Sequence, residues 1–517
     1  MADVLQAPRS FEVSLPNCVL GNENVSNGGQ FNNGINSLNC FNEETNSVYS
    51  SDDSSESSFP SANTDVLSLG TNSETASNHS FNDLNEKQIS PSTPEPYPSD
   101  VYALDLPLSK LVGKEVYDIA EHGTVASFIQ HRVESGLENA SFLVTNLVPI
   151  VNQFNQWKQE LPMVEPFYAV KCNPDPVIVR LLASMGCSFD CATMGEIDLV
   201  LNGLGDESFK LKGKASSSIV YANPAKMEHM LRFAIDNKVK MTVFDGEDEL
   251  KKIAAIPGGH QMELLLRLTT DDKSSICRFS KKFGCPVAEA PRLLELAKSL
   301  GLRVAGVSFH VGSGCGDAAA YVTALEHARS VFETAARMGM RPMTIVDVGG
   351  GFPGDKSGYG GGGMPSFQAL AAAIRQGIQL FDGLGVRFIA EPGRYFVSAS
   401  TVIATKIYGR KGGDNAYQAL YVDDGVYGSF NNVVYDHATP VPHRLALSPA
   451  AEGDIPSAVF GPTCDGLDQM CTLEGTVLPR CHVGDWLYWP DNGAYTHTAS
   501  FVFNGYTHVP TKTYCVL

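Results

Sequence analysis

The sequence predicts an α/β chain with an all-β addition: a (β/α)8 TIM-like barrel, then a C-terminal β-sandwich or β-barrel domain, behind a disordered N-terminal extension. Three observations carry this. Eight short apolar, β-rich runs alternate with helical patterns over some 230 residues, a size that suits a closed barrel better than an open doubly wound sheet. Past Tyr395 the helical patterns stop, and short β-rich runs punctuated by Gly, Pro and Asp take over. The first hundred residues are polar throughout.

Taken in order, residues 1–100 are about one third Asn and Ser and end in PSTPEPYPSD. Such a segment cannot bury enough apolar surface to fold, so it reads as a regulatory or degradation tail, or simply a solvated extension. Residues 101–394 are assigned to the barrel, with KLVGKEVYDIA lending a strand to the β domain and SFLVTNLVPIVNQFNQWKQELP read as an amphipathic helix. The predicted barrel strands are FYAVK, SFDCAT, SIVYANP, KMTVFDG, LLLRLTT, RVAGVSFHVG, TIVDVGGG and VRFIAEPGRY, separated by helices such as PVIVRLLASMG, KMEHMLRFAIDNK and SFQALAAAIRQGIQLF. Residues 395–517 form the β domain, through TVIATKIYG, QALYVDDGVYG, SAVFGPTCDG and DWLYWPDNGAYTHT.

Composition narrows the partners. The 517 residues carry a net charge of −19, but the first hundred, with fourteen acidic and two basic side chains, hold −12 of it. The remainder is only mildly acidic and shows no basic stripe, so nucleic acid and anionic membranes are excluded as expected partners and a small molecule is favoured. The 12 cysteines lack CxxC pairs. They read as reduced thiols in a cytoplasmic protein rather than as a disulfide frame or a metal site. No apolar run reaches about 18 residues and no secretory signal is visible. Cys515 is third from the end, where a prenylation box needs the fourth. Neither export nor lipid anchoring is expected.

The residues that carry chemistry sit at predicted strand ends: Lys171, Asp190, Asn223, Arg267, His310, Gly349 to Gly351, Glu391 and Arg394. That is the face on which barrel enzymes build their sites. A lysine ending a buried strand, its pKa lowered by desolvation, suits nucleophilic attack on a carbonyl; taken alone, it would more often cap an exposed strand. DVGGGFPG (347–354) leaves backbone N–H groups open to an anion where barrels hold phosphate, and Arg394 adds a cation. Glu391 is placed to keep a pyridine nitrogen protonated, as an electron sink requires. His310 of HVGSG could cover a ring face while Ser313 reaches the phosphate.

Together YAVKCN, FDCAT, HVGSGC, DVGGGFPG, EPGRYFV, YGSFNNVVYDHA, GPTCDGLD and GAYT resemble the eukaryotic ornithine decarboxylase family over roughly residues 105 to 510. The resemblance implies a pyridoxal 5'-phosphate enzyme with an alanine-racemase-like barrel. Lys171 would be the Schiff-base lysine, Glu391 the partner of the pyridine nitrogen and His310 the group stacked on the ring. Ser313, Gly349, Gly350, Gly351, Arg394 and Tyr495 would hold the phosphate, with Asp190, Glu196 and Arg267 supporting. It further implies a head-to-tail homodimer with shared active sites, in which Cys464 and Asp465 come from the partner subunit. Cys464 would protonate the carbon that loses CO2, while Asp436, Asp465 and Tyr427 would bind the substrate, the two carboxylates taking its distal ammonium. L-Ornithine would become putrescine and CO2, the first step of polyamine synthesis.

Two departures stand out. The residues just before GAYT, in WPDNGAYT, differ from the family pattern, and the long acidic C-terminal tail of animal members is missing, so any rapid-turnover signal is expected elsewhere. Three alternatives remain: a decarboxylase for lysine, arginine or diaminopimelate; an inactive antizyme-inhibitor-like regulator; and a pyridoxal phosphate storage protein. The acidic pair disfavours diaminopimelate, whose distal end bears a carboxylate. Lysine is harder to exclude, since one methylene is worth only about 10- to 200-fold. An antizyme-type regulator is a possible partner.

Overall fold

The computed structural model describes residues 110–203, 218–354, 363–412, 416–445, 447, 453–506 and 510–517. The N-terminal extension expected over residues 1–100 lies outside them.

Eight strands close a parallel barrel: β1 (Val164–Ala169), β2 (Ser188–Cys191), β3 (Ile219–Tyr221), β4 (Met241–Phe244), β5 (Glu263–Leu268), β6 (Arg303–Phe309), β7 (Ile345–Asp347) and β8 (Arg387–Ala390). Each pairs with its neighbours in sequence, and β8 returns to β1 through Phe388↔Val164. Strands buried on both faces need continuous apolar runs, which is why they are legible. Phe167, Val220, Val243, Leu265, Ala305 and Ile389 pack together as one small buried cluster. A larger one binds the strands to the helices, with Trp157, Tyr168, Leu231, Leu294 and Phe352 among its members.

Local signals set the helices. Asp175 caps Pro176–Ser184 by accepting from the Val177 N–H at 2.9 Å, and Thr193 caps Met194–Asn202. The stretch read as one helix over residues 141–162 divides. Phe142–Asn146 is a fully buried strand and only Val148–Glu160 is helical. The reason is local: Phe142, Leu143 and Val144 are apolar, Val144 and Thr145 are β-branched, and Pro149 opens the helix that follows.

Phe142–Asn146 belongs to the second, sheet-rich part. It pairs in parallel with Thr511–Val516, which pairs in parallel with Lys114–Asp118, and antiparallel with Thr401–Lys411. Beyond that come Gln418–Val422, Asp454–Phe460 and Gln469–Cys471, while Trp486–Trp489 pairs with Thr401–Lys411. Leu143, Ile403, Leu420, Phe430 and Trp489 fill its core.

Two contacts tie the barrel to the segments around it. Trp157 donates from Nε1 to the Val164 carbonyl at 2.9 Å and packs on Phe367 and Tyr395, pinning the start of β1 against the segment after β8. Asp175, just past Lys171, accepts from Tyr514 Oη at 2.9 Å and pairs with Lys512 at 3.0 Å, tying that loop to the sheet.

Candidate active site at the barrel mouth

The C-terminal ends of the strands surround a cavity of about 440 Å³ whose walls include Lys171, Asp190, Arg267, His310, Glu391 and Arg394. Lys171 does not end the strand itself. β1 stops at Ala169, and Lys171 lies in the 3-10 turn Val170–Cys172 that follows. Its Nζ pairs with Asp190 Oδ2; the lysine side chain is 42% exposed to the cavity, whereas Asp190 is fully buried. Burial alone would push the ammonium down, as the strand-end position suggested. Asp190, Tyr495 and Glu391 outweigh it and hold the pKa above the ordinary lysine value. The expected depression is therefore reversed, because acidic neighbours surround the amine.

His310 follows β6. Its Nδ1 accepts from the Gly312 N–H at 3.0 Å, which leaves any proton on Nε2, and Phe279 meets the ring edge-on at 4.8 Å. Burial, then the nearby charges of Arg267 and Lys171, drive the imidazole far below its usual pKa, so it is neutral. Arg267, at the end of β5, lies over Phe283 at 5.3 Å.

Glu391 follows β8 and donates its backbone N–H to the Gly349 carbonyl at 2.6 Å. Burial and the charges of Asp347 and Asp190 raise its carboxyl well above the usual range. Asp347, the last residue of β7, is fully buried and accepts from the Gly349 N–H at 2.9 Å. Burial pushes it up to about 7. Two carboxyls so placed carry a proton between them that a ring nitrogen could share.

Gly349 and Gly350 admit no side chain. Gly349 has φ +66°, and a Cβ there would lie 2.0 Å from the Phe309 carbonyl oxygen; one on Gly350 would lie 2.7 Å from His310 Nε2. The Gly349 N–H is already given to Asp347, so the two glycines let the turn pack closely against β6 and His310. Gly351 and Ser313 line the cavity beside it, as do Asn223, Tyr495 and Asp436. Arg394 opens the short helix Arg394–Val397, its guanidinium 5.0 Å from the centre of the Tyr495 ring and paired with Asp436. Tyr495 holds φ +54°, a left-handed conformation fixed in part by its N–H bond to the Cys172 carbonyl at 3.0 Å. Glu196 stands behind Asp190, its Oε2 accepting from the Ala192 N–H at 2.6 Å.

Three candidates stay apart. Tyr427, Cys464 and Asp465 do not line the cavity. Tyr427 donates to Asp465 Oδ2 and stacks on Phe503 at 4.3 Å, while the Cys464 N–H reaches Asn504 Oδ1 at 3.2 Å and the thiol is exposed. They form a separate surface, with Leu467 and Val502 71% and 63% exposed nearby in sequence.

Sequence reasoning missed Asp347, Cys277, Phe279 and Tyr435. Asp347 was within reach, since it immediately precedes the glycine triplet. Tyr435 ends the short helix Asn432–Tyr435 inside YGSFNNVVYDHA, whereas Cys277 and Phe279 carry no motif, and Cys277 meets Asp436, 159 positions on, at 3.5 Å. Among the described residues no group of three His, Cys, Asp or Glu side chains could hold a metal ion, and no helix is long and apolar enough to cross a membrane.

A parallel barrel with a lysine, a neutral histidine, a pair of buried carboxyls with raised pKa values and an arginine beside a glycine-rich turn at its mouth defines the class of pyridoxal phosphate-dependent barrel enzymes. The buried Asp190 Oδ1 with no hydrogen-bond partner beside Lys171, and the cationic Arg394 on the same cavity wall, fit that cofactor. Residues 147–398 match the pyridoxal-dependent decarboxylase family through its pyridoxal binding domain. The chain is 41% identical to ornithine decarboxylase of Caenorhabditis elegans over 71% of its own length and 86% of that protein's. It is 39% identical to antizyme inhibitor 2 of Xenopus laevis, over 76% and 86%. Among solved structures it resembles the Paramecium bursaria Chlorella virus arginine decarboxylase bound to agmatine (TM-score 0.67, 32% identity, 76% and 99% covered). It also resembles the Vibrio vulnificus lysine/ornithine decarboxylase complexed with putrescine (TM-score 0.65, 30% identity, 75% and 97% covered). The chain belongs to the pyridoxal-dependent decarboxylase family. Its cofactor is pyridoxal phosphate, and it is a carboxy-lyase.

Proposed function

We propose that this protein decarboxylates L-ornithine to putrescine and CO2, opening polyamine synthesis. The observation that carries the reading is the convergence of Lys171, His310, Glu391 and Arg394 with the acidic Asp436 on one cavity. The identity to ornithine decarboxylases such as the worm protein supports it.

Pyridoxal phosphate, when bound, supplies the electron sink for the pair left as the carboxylate departs. The chain's own groups do the rest. Lys171 Nζ would hold the cofactor at its aldehyde carbon, and Asp190 Oδ2, in contact with that amine, would accept its proton. Neutral His310, backed by Phe279, covers one face of the ring site without adding charge. The Glu391–Asp347 pair holds the proton that a ring nitrogen needs. Gly349 to Gly351, Ser313, Arg394 and Tyr495 receive the phosphate, with Arg267 and Glu196 supporting. Asp436 receives the substrate's distal ammonium, a charge pair strengthened by desolvation.

Cys464, Asp465 and Tyr427 stand outside their own cavity. We assign them to the cavity of a second copy in a head-to-tail homodimer. There Cys464 Sγ delivers a proton to the carbon that has lost CO2, and Asp465 and Tyr427 close the substrate pocket. In this reading the protein works in the cytoplasm, and an antizyme-type regulator is a partner supported by the antizyme inhibitor likeness.

The test is CO2 release from L-ornithine, L-lysine and L-arginine by purified protein with added pyridoxal phosphate, beside Lys171→Ala. Ornithine turnover that vanishes in the variant is expected. The second reading, an inactive regulator, rests on the 39% identity to antizyme inhibitor 2. Bound cofactor with no turnover on any of the three substrates would favour it.

A further inference from the structure

Arg394 and Asp436 come from segments 42 positions apart and meet as an ion pair whose side chains are 6% and 10% exposed. Both line the cavity. Arg394 also borders the glycine-rich turn after β7, since a Cβ on Gly354 would lie 3.3 Å from Arg394 Cγ. The cation that should draw a phosphate is thus engaged by the carboxylate that should draw the substrate's ammonium. Cys277 Sγ, at 3.5 Å from Asp436 Oδ1, adds a weak thiol donor and no charge that could replace the arginine.

We propose that Asp436 is a shared counter-ion that couples substrate to cofactor retention: it neutralises Arg394 when no cationic tail is present and yields it to the phosphate when one arrives. This rests on the pyridoxal phosphate and ornithine reading above. A guanidinium has five N–H donors and can hold a carboxylate and a phosphate together, but the two anions repel each other in a buried site. An ammonium group on Asp436 removes that repulsion. By linkage, the substrate tail and the phosphate then strengthen each other's binding by the same factor. Asp436 acts on the cofactor through Arg394, so toward the cofactor it is a positioning residue.

The experiment compares equilibrium dissociation of pyridoxal phosphate and of pyridoxal, which lacks the phosphate, from the wild-type protein, Asp436→Asn and Asp436→Glu. Asn keeps the shape and removes the charge; Glu keeps the charge. The expected result is pyridoxal phosphate held roughly 3- to 30-fold more tightly by Asp436→Asn, the span of a moderate coupling, with pyridoxal unchanged and Asp436→Glu close to wild type. Equal or weaker retention of pyridoxal phosphate by Asp436→Asn overturns the proposal, as does an equal gain for pyridoxal. If Asp436→Asn does not fold, the wild-type holoenzyme decides. Butylguanidinium carries the charge without attacking the cofactor's carbonyl. At concentrations where it inhibits turnover competitively, it should slow cofactor release several-fold, and unchanged or faster release overturns the coupling. Failure of the wild-type protein to take up pyridoxal phosphate would instead refute the cofactor reading itself.

Discussion

Asp347→Asn isolates the buried carboxyl pair at the ends of β7 and β8. The amide keeps an acceptor for the Gly349 N–H, now met at 2.9 Å, but cannot ionise. Burial lifts the Asp347 carboxyl from 3.8 to about 7. A folded-state pKa above the unfolded one means that the unfolded chain gives up its proton first. The stability tied to this proton is therefore full below about pH 4 and is lost progressively as pH rises to about 7. Each pH unit in that window costs about 1.4 kcal/mol, so going from pH 5 to 8 costs about 3 kcal/mol. Asp347 and Glu391 titrate together, so the change seen on removing Asp347 is taken as on the order of 1.5 kcal/mol or more. In cofactor-free protein, Asp347→Asn should thus gain about 2 °C of melting temperature relative to wild type between pH 5 and pH 8. The same variant should hold pyridoxal phosphate less tightly, because the proton reserve beside Glu391 is gone. Melting curves at the two pH values check the first part and cofactor titration the second. A melting difference independent of pH would refute the shared-proton account.

Gly349→Ala would set a Cβ 2.0 Å from the Phe309 carbonyl oxygen at φ +66°; denaturant unfolding should show a loss of about 2–4 kcal/mol, with weakened cofactor binding. Lys171→Ala should fold but melt about 2–5 °C lower, because it leaves the buried Asp190 without its partner, and should lose the visible absorbance of lysine-bound cofactor together with at least about 1,000-fold in turnover. Cys464→Ala, at an exposed thiol, should change stability by less than about 0.5 kcal/mol yet depress turnover. Mixing it with Lys171→Ala should restore up to about a quarter of wild-type activity, because a random mixture of two-fold dimers leaves one intact site in half of them. No restoration, with subunit exchange verified, would refute the shared site.

The barrel was legible because its strands are buried on both faces and read as unbroken apolar runs, and because loops at one rim carry the unusual residues. SFLVTN escaped for the same physical reason in reverse: a buried sheet strand and the flank of an amphipathic helix present similar apolar runs, and only pairing with Thr511–Val516 and Thr401–Lys411 separates them. At the site, Lys171, Asp190, His310, Glu391 and Arg394 were found as residues, but their ionisation was not. Desolvation alone argued for a depressed Lys171, whereas three acidic groups drawn from other segments raise it. Chain order by itself thus determined the succession of elements and the motifs at their ends, since periodicity and turn chemistry are local. Tertiary structure alone decided which carboxylates face each other, that Asp436 reaches Arg394, and that Tyr427 joins Cys464 and Asp465 away from their own cavity. Those outcomes depend on distances between segments remote in sequence, and electrostatic energy follows distance and burial, which no local pattern encodes.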